Sequence, residues 1–239
     1  PANSNSSSQT VSYSNSGSYD VSMSVSLPGT TPRTKTVNSF IDVVPGSGSY
    51  VAPYLDKISD PAWPNNNDAS LIWQTEKPQG SLFQFQRTTN AFYSPPSGIY
   101  LNNFSYNGSG DFLLTTPIAD LTQMQPGNTY FNFQISHVQK ASEIESLILL
   151  VSQDCGATFS QERIFNINVI NTAPKSSVAF VPSDTSEWRF VSHDISNYAG
   201  QNNIQFMLRF ISNSGNNLFL DDIHISDSDQ PVPLTVGLR

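Results

Sequence analysis

Tyr19-Asp-Val-Ser-Met-Ser-Val-Ser-Leu27 alternates apolar and polar residues with a period of two. That period places one side-chain set on each face of an extended strand, with one face inward. Thr34 to Val44 reads as a second such strand, and Thr10 to Ser14 as a shorter third. Gly17 and Pro28-Gly29 punctuate them. Three strands bury little by themselves, so residues 1–45 need a partner surface. Pro45-Gly-Ser-Gly-Ser49 reads as a flexible stretch, and residues 46–52 as a linker.

Beyond it, the same reading gives strands near 71–74, 81–86, 99–104, 111–114, 129–138, 146–152, 162–170, 187–194, 203–211 and 217–225. Short strands at such spacing, separated by polar turns, predict a β-sandwich with Greek-key connections, a jelly roll, over residues 53–226. A short helix is expected at Lys140–Glu145 or Ile118–Thr122, and 227–239 reads as a tail or linker. The expected class is all-β.

Composition bounds the function. The chain has 239 residues and a net charge of −8. An acidic chain does not attract phosphate backbones, so nucleic acid is not an expected partner. Charged residues are only 13%, against 36 Ser and 22 Asn. A surface solubilised by hydroxyls and amides accords with a secreted β protein. No apolar run approaches the ~18 residues of a membrane span. The single cysteine, Cys155, rules out an intramolecular disulfide and any C-x-x-C motif. Pro1 is not a natural start, which leads us to expect a piece of a longer protein.

Three segments carry a resemblance. Thr10-Val-Ser-Tyr13, Ser16-Gly-Ser-Tyr-Asp-Val-Ser-Met-Ser-Val25 and Lys35-Thr-Val-Asn-Ser-Phe-Ile-Asp-Val43 resemble the second half of a PKD domain, an immunoglobulin-like module. The family's upstream half, with its tryptophan and Gly-Asp-Gly loop, is missing, so the module is partial. Four further stretches are Asp111-Phe-Leu-Leu-Thr-Thr-Pro117, Val151-Ser-Gln-Asp-Cys-Gly-Ala-Thr-Phe159, Trp188 through Gly200, and Gly215-Asn-Asn-Leu-Phe-Leu-Asp-Asp-Ile-His-Ile225. They resemble the jelly-roll domain that follows PKD modules in secreted pappalysin- or cytophagalysin-type bacterial zinc metallopeptidases. More loosely, they are similar to cleaved-adhesin and MAM domains. The resemblance implies an accessory region, extracellular or on the cell surface, with an upstream catalytic domain in the same polypeptide. Its expected work is to space, stabilise or tether, with a polymer or cell surface as partner.

The residues give no catalytic assignment. H-E-x-x-H, the zinc signature of the upstream enzymes, is absent, and His137, His193 and His224 are far apart. There is no G-x-S-x-G elbow. Asp154 beside Cys155 has the wrong sign to activate a thiol. Glu76, Glu143, Glu145, Glu162 and Glu187 show no spacing that singles out a glycosidase pair. The chain is therefore expected to be non-enzymatic. The alternatives are a carbohydrate-binding module, which needs exposed coplanar aromatics, and a stand-alone hydrolase, which needs clustered carboxylates or histidine.

Calcium, in a structural role, is the expected cofactor. It takes several oxygen ligands. Adjacent strand residues face opposite sides, so one of Asp221 and Asp222 is expected to point inward and to require pairing or a metal. By resemblance, the partners are Asp56, Asn102 or Asn103, and Asp111. Lys57 beside Asp56 weakens that set. Asn65-Asn-Asn-Asp68 reads as a solvent loop. Of the aromatics, Phe83, Phe85 and Trp188 are expected in the core, and Phe92-Tyr93 is the better candidate for exposure.

Overall fold

The computed structural model describes residues 10–13, 17–43, 50–56, 58–64, 71–106 and 108–232. The Pro45–Ser49 stretch and Asn65–Asp68 lie outside them. The chain divides into two compact units, Pro1–Pro45 and Gly46–Arg239.

The smaller unit is an antiparallel hairpin of β1 (Gly17–Val25) and β2 (Arg33–Val43), joined through Pro28-Gly29. Gly29 sits at φ 78°, which only glycine adopts freely. Thr10–Tyr13 is not in a strand, so the expected third strand does not form there; Ser14 is outside the described residues. The period of two holds. The polar face is laced by a Ser22–Thr36 hydroxyl pair at 2.7 Å and a Ser24–Thr34 pair. Met23, Val25, Val37 and Phe40 are exposed.

The larger unit is an all-β jelly-roll sandwich. Its short entry strands are β3 (Tyr50–Val51), β4 (Tyr54–Asp56), β5 (Gln74–Glu76), β6 (Gln86–Thr88) and β7 (Gly98–Leu101). The longer strands are β8 (Ser109–Thr115), β10 (Tyr130–His137), β11 (Ser146–Ser152), β12 (Ser160–Phe165), β13 (Arg189–Asp194), β14 (Gln205–Asn213) and β15 (Leu218–Ser226). β9 is the two-residue Ala119–Asp120, parallel to β3. One sheet runs β13-β10-β15-β7-β6, with β4 also on β15; the other runs β12-β11-β14-β8-β5. Every pairing within these two sheets is antiparallel. From β10 onward the chain crosses repeatedly between the sheets, which makes the connections Greek keys.

Facing residues of the two sheets form one core, including Phe131, Phe133, Ile135, Leu147, Leu149, Phe206, Leu208, Phe210, Leu218 and Leu220. Burial of each such side chain contributes about 1.5–3 kcal/mol. No helix is long and apolar enough to cross a membrane among the described residues.

Several expected elements shift, for local reasons. The 81–86 strand begins only at Gln86, because Ser81 Oγ donates to the Phe83 carbonyl and accepts its N–H, both at 3.0 Å, closing a turn. The 71–74 strand appears at 74–76. Neither expected helix forms. Glu143 bends its carboxylate back onto the N–H groups of Lys140 and Ala141, and Ala119–Asp120 is a strand. The helix is instead Ile167–Ile170, capped by Asn166, which ends β12 at Phe165.

One end of the sandwich is tied by a buried polar knot. Glu145 and His137 face each other at 3.2 Å, both sealed from solvent. The other Glu145 oxygen accepts from Asn103 Nδ2 (2.8 Å) and from the N–H groups of Asn213 and Gly215 (3.1 Å each). His137 Nδ1 meets the Asn217 carbonyl at 2.9 Å. A Cβ on Gly215 would stand 1.9 Å from Glu145 Oε2. Gly215→Ala must therefore displace the buried Glu145 side chain from its partners. We expect it to cost roughly 3 kcal/mol or more in urea unfolding, while Gly127→Ala, facing open space, loses only what its own φ demands.

Candidate functional site

The alternation in β10, Tyr130-Phe-Asn-Phe-Gln-Ile-Ser-His137, sends Phe131, Phe133 and Ile135 into the core. Asn132, Gln134 and Ser136 go to the opposite, outer face of the six-stranded sheet. Register then fixes three rows across that face. Tyr100, Phe219 and Ser136 form the first, with Trp188 just beyond. Asp221, Gln134 and Phe190 form the second; His224, Asn132 and Ser192 form the third.

The first row is aromatic and covered. Tyr100 stacks on Phe219 at 4.9 Å, and Trp188 meets the edge of Phe219 at 6.4 Å. Loop residues close over them: Tyr93 lies edge-on to Trp188 at 6.2 Å, and Phe180 packs on Phe219. This is a second small core with Ala91 and Val138. Trp188 is thus buried as expected, but outside the main core. Tyr93 is half-buried.

A bulge shapes the second row. Asn132 pairs with His224 but Gln134 with Asp221, so Asp222 and Ile223 together oppose Phe133. Asp222 takes φ 45°, the left-handed region that Asp tolerates better than most residues. The expectation that only one of the two aspartates points inward is corrected: both are buried, because the bulge breaks the alternation. Both hold the same loop. Asp221 Oδ2 accepts from the N–H groups of Tyr93 (2.6 Å) and Ser94 (2.9 Å), and Asp222 Oδ1 accepts from Ser94 Oγ (2.5 Å). Burial pushes the Asp221 carboxyl up to about 7, and the Asp222 charge adds to this, while the N–H donors from Ser94, Asp222 and Tyr93 pull down. Burial likewise lowers His224, whose Nδ1 meets the Asp222 carbonyl at 2.7 Å.

The remaining expected metal ligands lie elsewhere. Asp56 pairs with Ile223 and faces the core, bonding Trp73 Nε1 (2.8 Å) and the Ile58 N–H (2.7 Å). Asn103 belongs to the Glu145 knot and accepts from Ser212 Oγ at 2.5 Å. Asn102 accepts from the Ser105 N–H at 3.2 Å. Asp111, in the other sheet, pairs with Arg209 at 2.5 Å. Of the six, only Asp221 and Asp222 are brought to one place. Among the described residues, no group of three or more His, Cys, Asp or Glu could hold a metal ion.

The three histidines are apart as well. His193 meets Glu162 at 3.1 Å, where edge strands of the two sheets meet, and Tyr198 donates to the same carboxylate at 2.6 Å. Cys155 sits in a left-handed turn at φ 58°. A space of about 10 Å³ among Tyr50, Tyr54, Trp73, Phe131 and His224 has room for about one water.

The third row holds what sequence reasoning missed. Asn132 Oδ1 and Ser192 Oγ are buried without a hydrogen-bond partner, on residues directly opposite one another. The Asn132 amide is fixed the right way round, since its Nδ2 donates to the Ser228 carbonyl (2.9 Å), which can only accept. Strand alternation signals that Asn132 and Ser192 share a face with Gln134, but no local pattern signals that their oxygens lack partners.

No model of a known protein family matches this chain, and no curated protein sequence matches it. Solved structures similar to it include the K1 cleaved adhesin domain of Lys-gingipain from Porphyromonas gingivalis W83. That domain is 17% identical over 65% of this chain and 90% of that one, with a TM-score of 0.44. The K3 domain of the same protein is 16% identical over 65% and 91%, at 0.43. The C-terminal family 22 carbohydrate-binding module of Clostridium thermocellum Xyn10B is 11% identical over 75% and 96%, at 0.42.

Asp221 gives a pH signature. An unfolded aspartate titrates near ~3.9, so between about 4 and 7 the native state holds a proton that the unfolded state has lost. Its contribution to stability therefore falls as pH rises through that window. His224, lowered by burial, acts in the opposite sense and loses stability as pH falls. The Asp221 contribution is therefore read by difference: with chelator present, we expect the melting point of the chain to fall by several degrees more than that of Asp221→Asn between pH 5 and pH 8.

Proposed function

We propose that this chain is a non-catalytic accessory region of a protein that works outside the cell or on its surface, and that the sandwich binds an extracellular polymer. The observation that supports this is the outer face of the six-stranded sheet. It sets half-buried Tyr93, Tyr100, Phe190 and Ser192 beside the buried, uncharged amides of Gln134 and Asn132. Clustered aromatic and amide groups on one sheet face are the kind of surface that marks a recognition site.

The resemblances in sequence extend the proposal. The hairpin is then part of a PKD-like spacer over 1–45, followed by a jelly roll over 53–226. The parent is a secreted zinc metallopeptidase whose catalytic domain lies upstream. Co-sedimentation tests the binding role: the chain is mixed with insoluble cellulose, chitin, peptidoglycan and fibrillar collagen. We expect it to pellet with at least one of these. A chain left in every supernatant overturns the reading.

We further propose a structural calcium ion, on a narrower ligand set than the sequence implied. Asp221 and Asp222 are two buried carboxylates, and none of the ion pairs among the described residues includes them. Their charge and the Ser94 hydroxyl suit a hard cation, which would offset the burial, and the lesser repulsion from Asp222, that raise Asp221. A melt in calcium and in excess chelator is the test. A hundredfold excess over Kd stabilises by about 2.7 kcal/mol, so the midpoint should rise by several degrees, and Asp222→Ala should abolish the rise. Equal midpoints overturn the calcium site.

A further inference from the structure

We propose that the β13 side of this outer face binds a neutral saccharide, with sugar hydroxyls donating to Asn132 and Ser192 and a sugar ring lying on Phe190. The inference rests on the polymer-binding reading and names its ligand class.

The argument starts from hydrogen-bond accounting. A buried oxygen left without a partner is unfavourable by about 1–3 kcal/mol, and such groups are rare in native proteins. Here two stand opposite each other on neighbouring strands. Asn132 Oδ1 can only accept, so whatever fills the place beside it must bring a donor. Ser192 can donate or accept, which suits a hydroxyl in either role.

Charge narrows the class. In the second and third rows the ionisable groups are Asp221 and His224. Asp221 is turned to the Tyr93–Ser94 N–H groups, and His224 to the Asp222 carbonyl and Asn132. The one arginine of β13, Arg189, is committed to the carbonyls of Asn168 and Val169. No described cation on these rows would recognise a phosphate, sulfate or uronate. Uncharged acceptors beside an aromatic ring fit a ligand that carries many hydroxyls and one apolar ring face.

Access comes from the sheet's edge. β13 is the outer strand, and Phe190 and Ser192 are half-buried, whereas Asn132 and the two oxygens themselves are sealed in the unbound chain, so a sugar must open this edge as it binds. Phe190 flanks Gln134 in the adjacent row, so a ring on Phe190 has an amide beside it.

Calorimetric titration of the whole chain with cellohexaose, mannohexaose and laminarihexaose tests this. We expect saturable binding to at least one, weakened about tenfold by Ser192→Ala and at least as much by Phe190→Ala. Ser192→Ala should leave the melting point unchanged or raise it, since it removes an unpaired buried hydroxyl; a purely structural Ser192 would lower it. Binding that survives both substitutions places the sugar elsewhere and overturns the site, while the accessory reading stands. No binding to any of the three overturns the saccharide assignment, and sedimentation with collagen then decides separately whether the accessory reading survives.

Discussion

A β-strand has two hydrogen-bonding edges, yet β15 pairs with three strands. β10 takes one edge; β7 and β4 divide the other, against Leu218–Leu220 and Ile223–Ile225. The division falls at Asp221-Asp222, where the bulge adds a residue and turns the strand. Much else depends on that one irregularity. It frees Asp222 from the alternation, brings two carboxylates onto one loop, and lets Asp56 turn inward to Trp73. It also carries the register change that sets Asn132 against His224 while Gln134 sits against Asp221. A regular strand would have left one aspartate in the main core and no seat for the Tyr93–Ser94 loop.

The face so formed is unusual for an exposed side of a sandwich. Such faces commonly carry alternating polar residues against water. Here loops cover the aromatic row at one end, and Ser226 and Ser228 bond Asn132 in the third row. Asn132, Gln134 and Ser136 are buried although they point away from the main core, and half-buried Phe190 and Ser192 on β13 finish the surface.

Much of the fold was legible in the sequence because alternation is a local signal. The period of two in Tyr19–Leu27 and the runs near 129–138, 146–152, 203–211 and 217–225 correspond to strands β1, β10, β11, β14 and β15. Where side chains compete with the backbone ladder, alternation misleads: Ser81 closes a turn on Phe83, Glu143 folds onto Lys140 and Ala141, and Asn166 stops β12. The candidate site was less legible. Asp221 and Asp222 were singled out, yet their shared hold on one loop depends on a bulge in the pairing with β10, some ninety residues away in sequence. Asn102, Asn103 and Asp111 carry suitable oxygens, but cross-strand register sends each to a different part of the molecule. The unpartnered oxygens of Asn132 and Ser192 exist only once β10 and β13 are paired.

The central position of β15 has a consequence in time. The strand occupying the middle of the six-stranded sheet is the last of that sheet's strands in chain order. Until residue 226 exists, β10, β7 and β4 have no common neighbour, and the inner face of that sheet has no Leu218, Leu220 or Ile223 to close it. Pairings over such separations are slow, because the chain must close long loops before any contact rewards it. A nascent chain of this sequence therefore keeps that sheet open until β15 arrives, and the sheet's outer face is finished in the same event as the core beneath it.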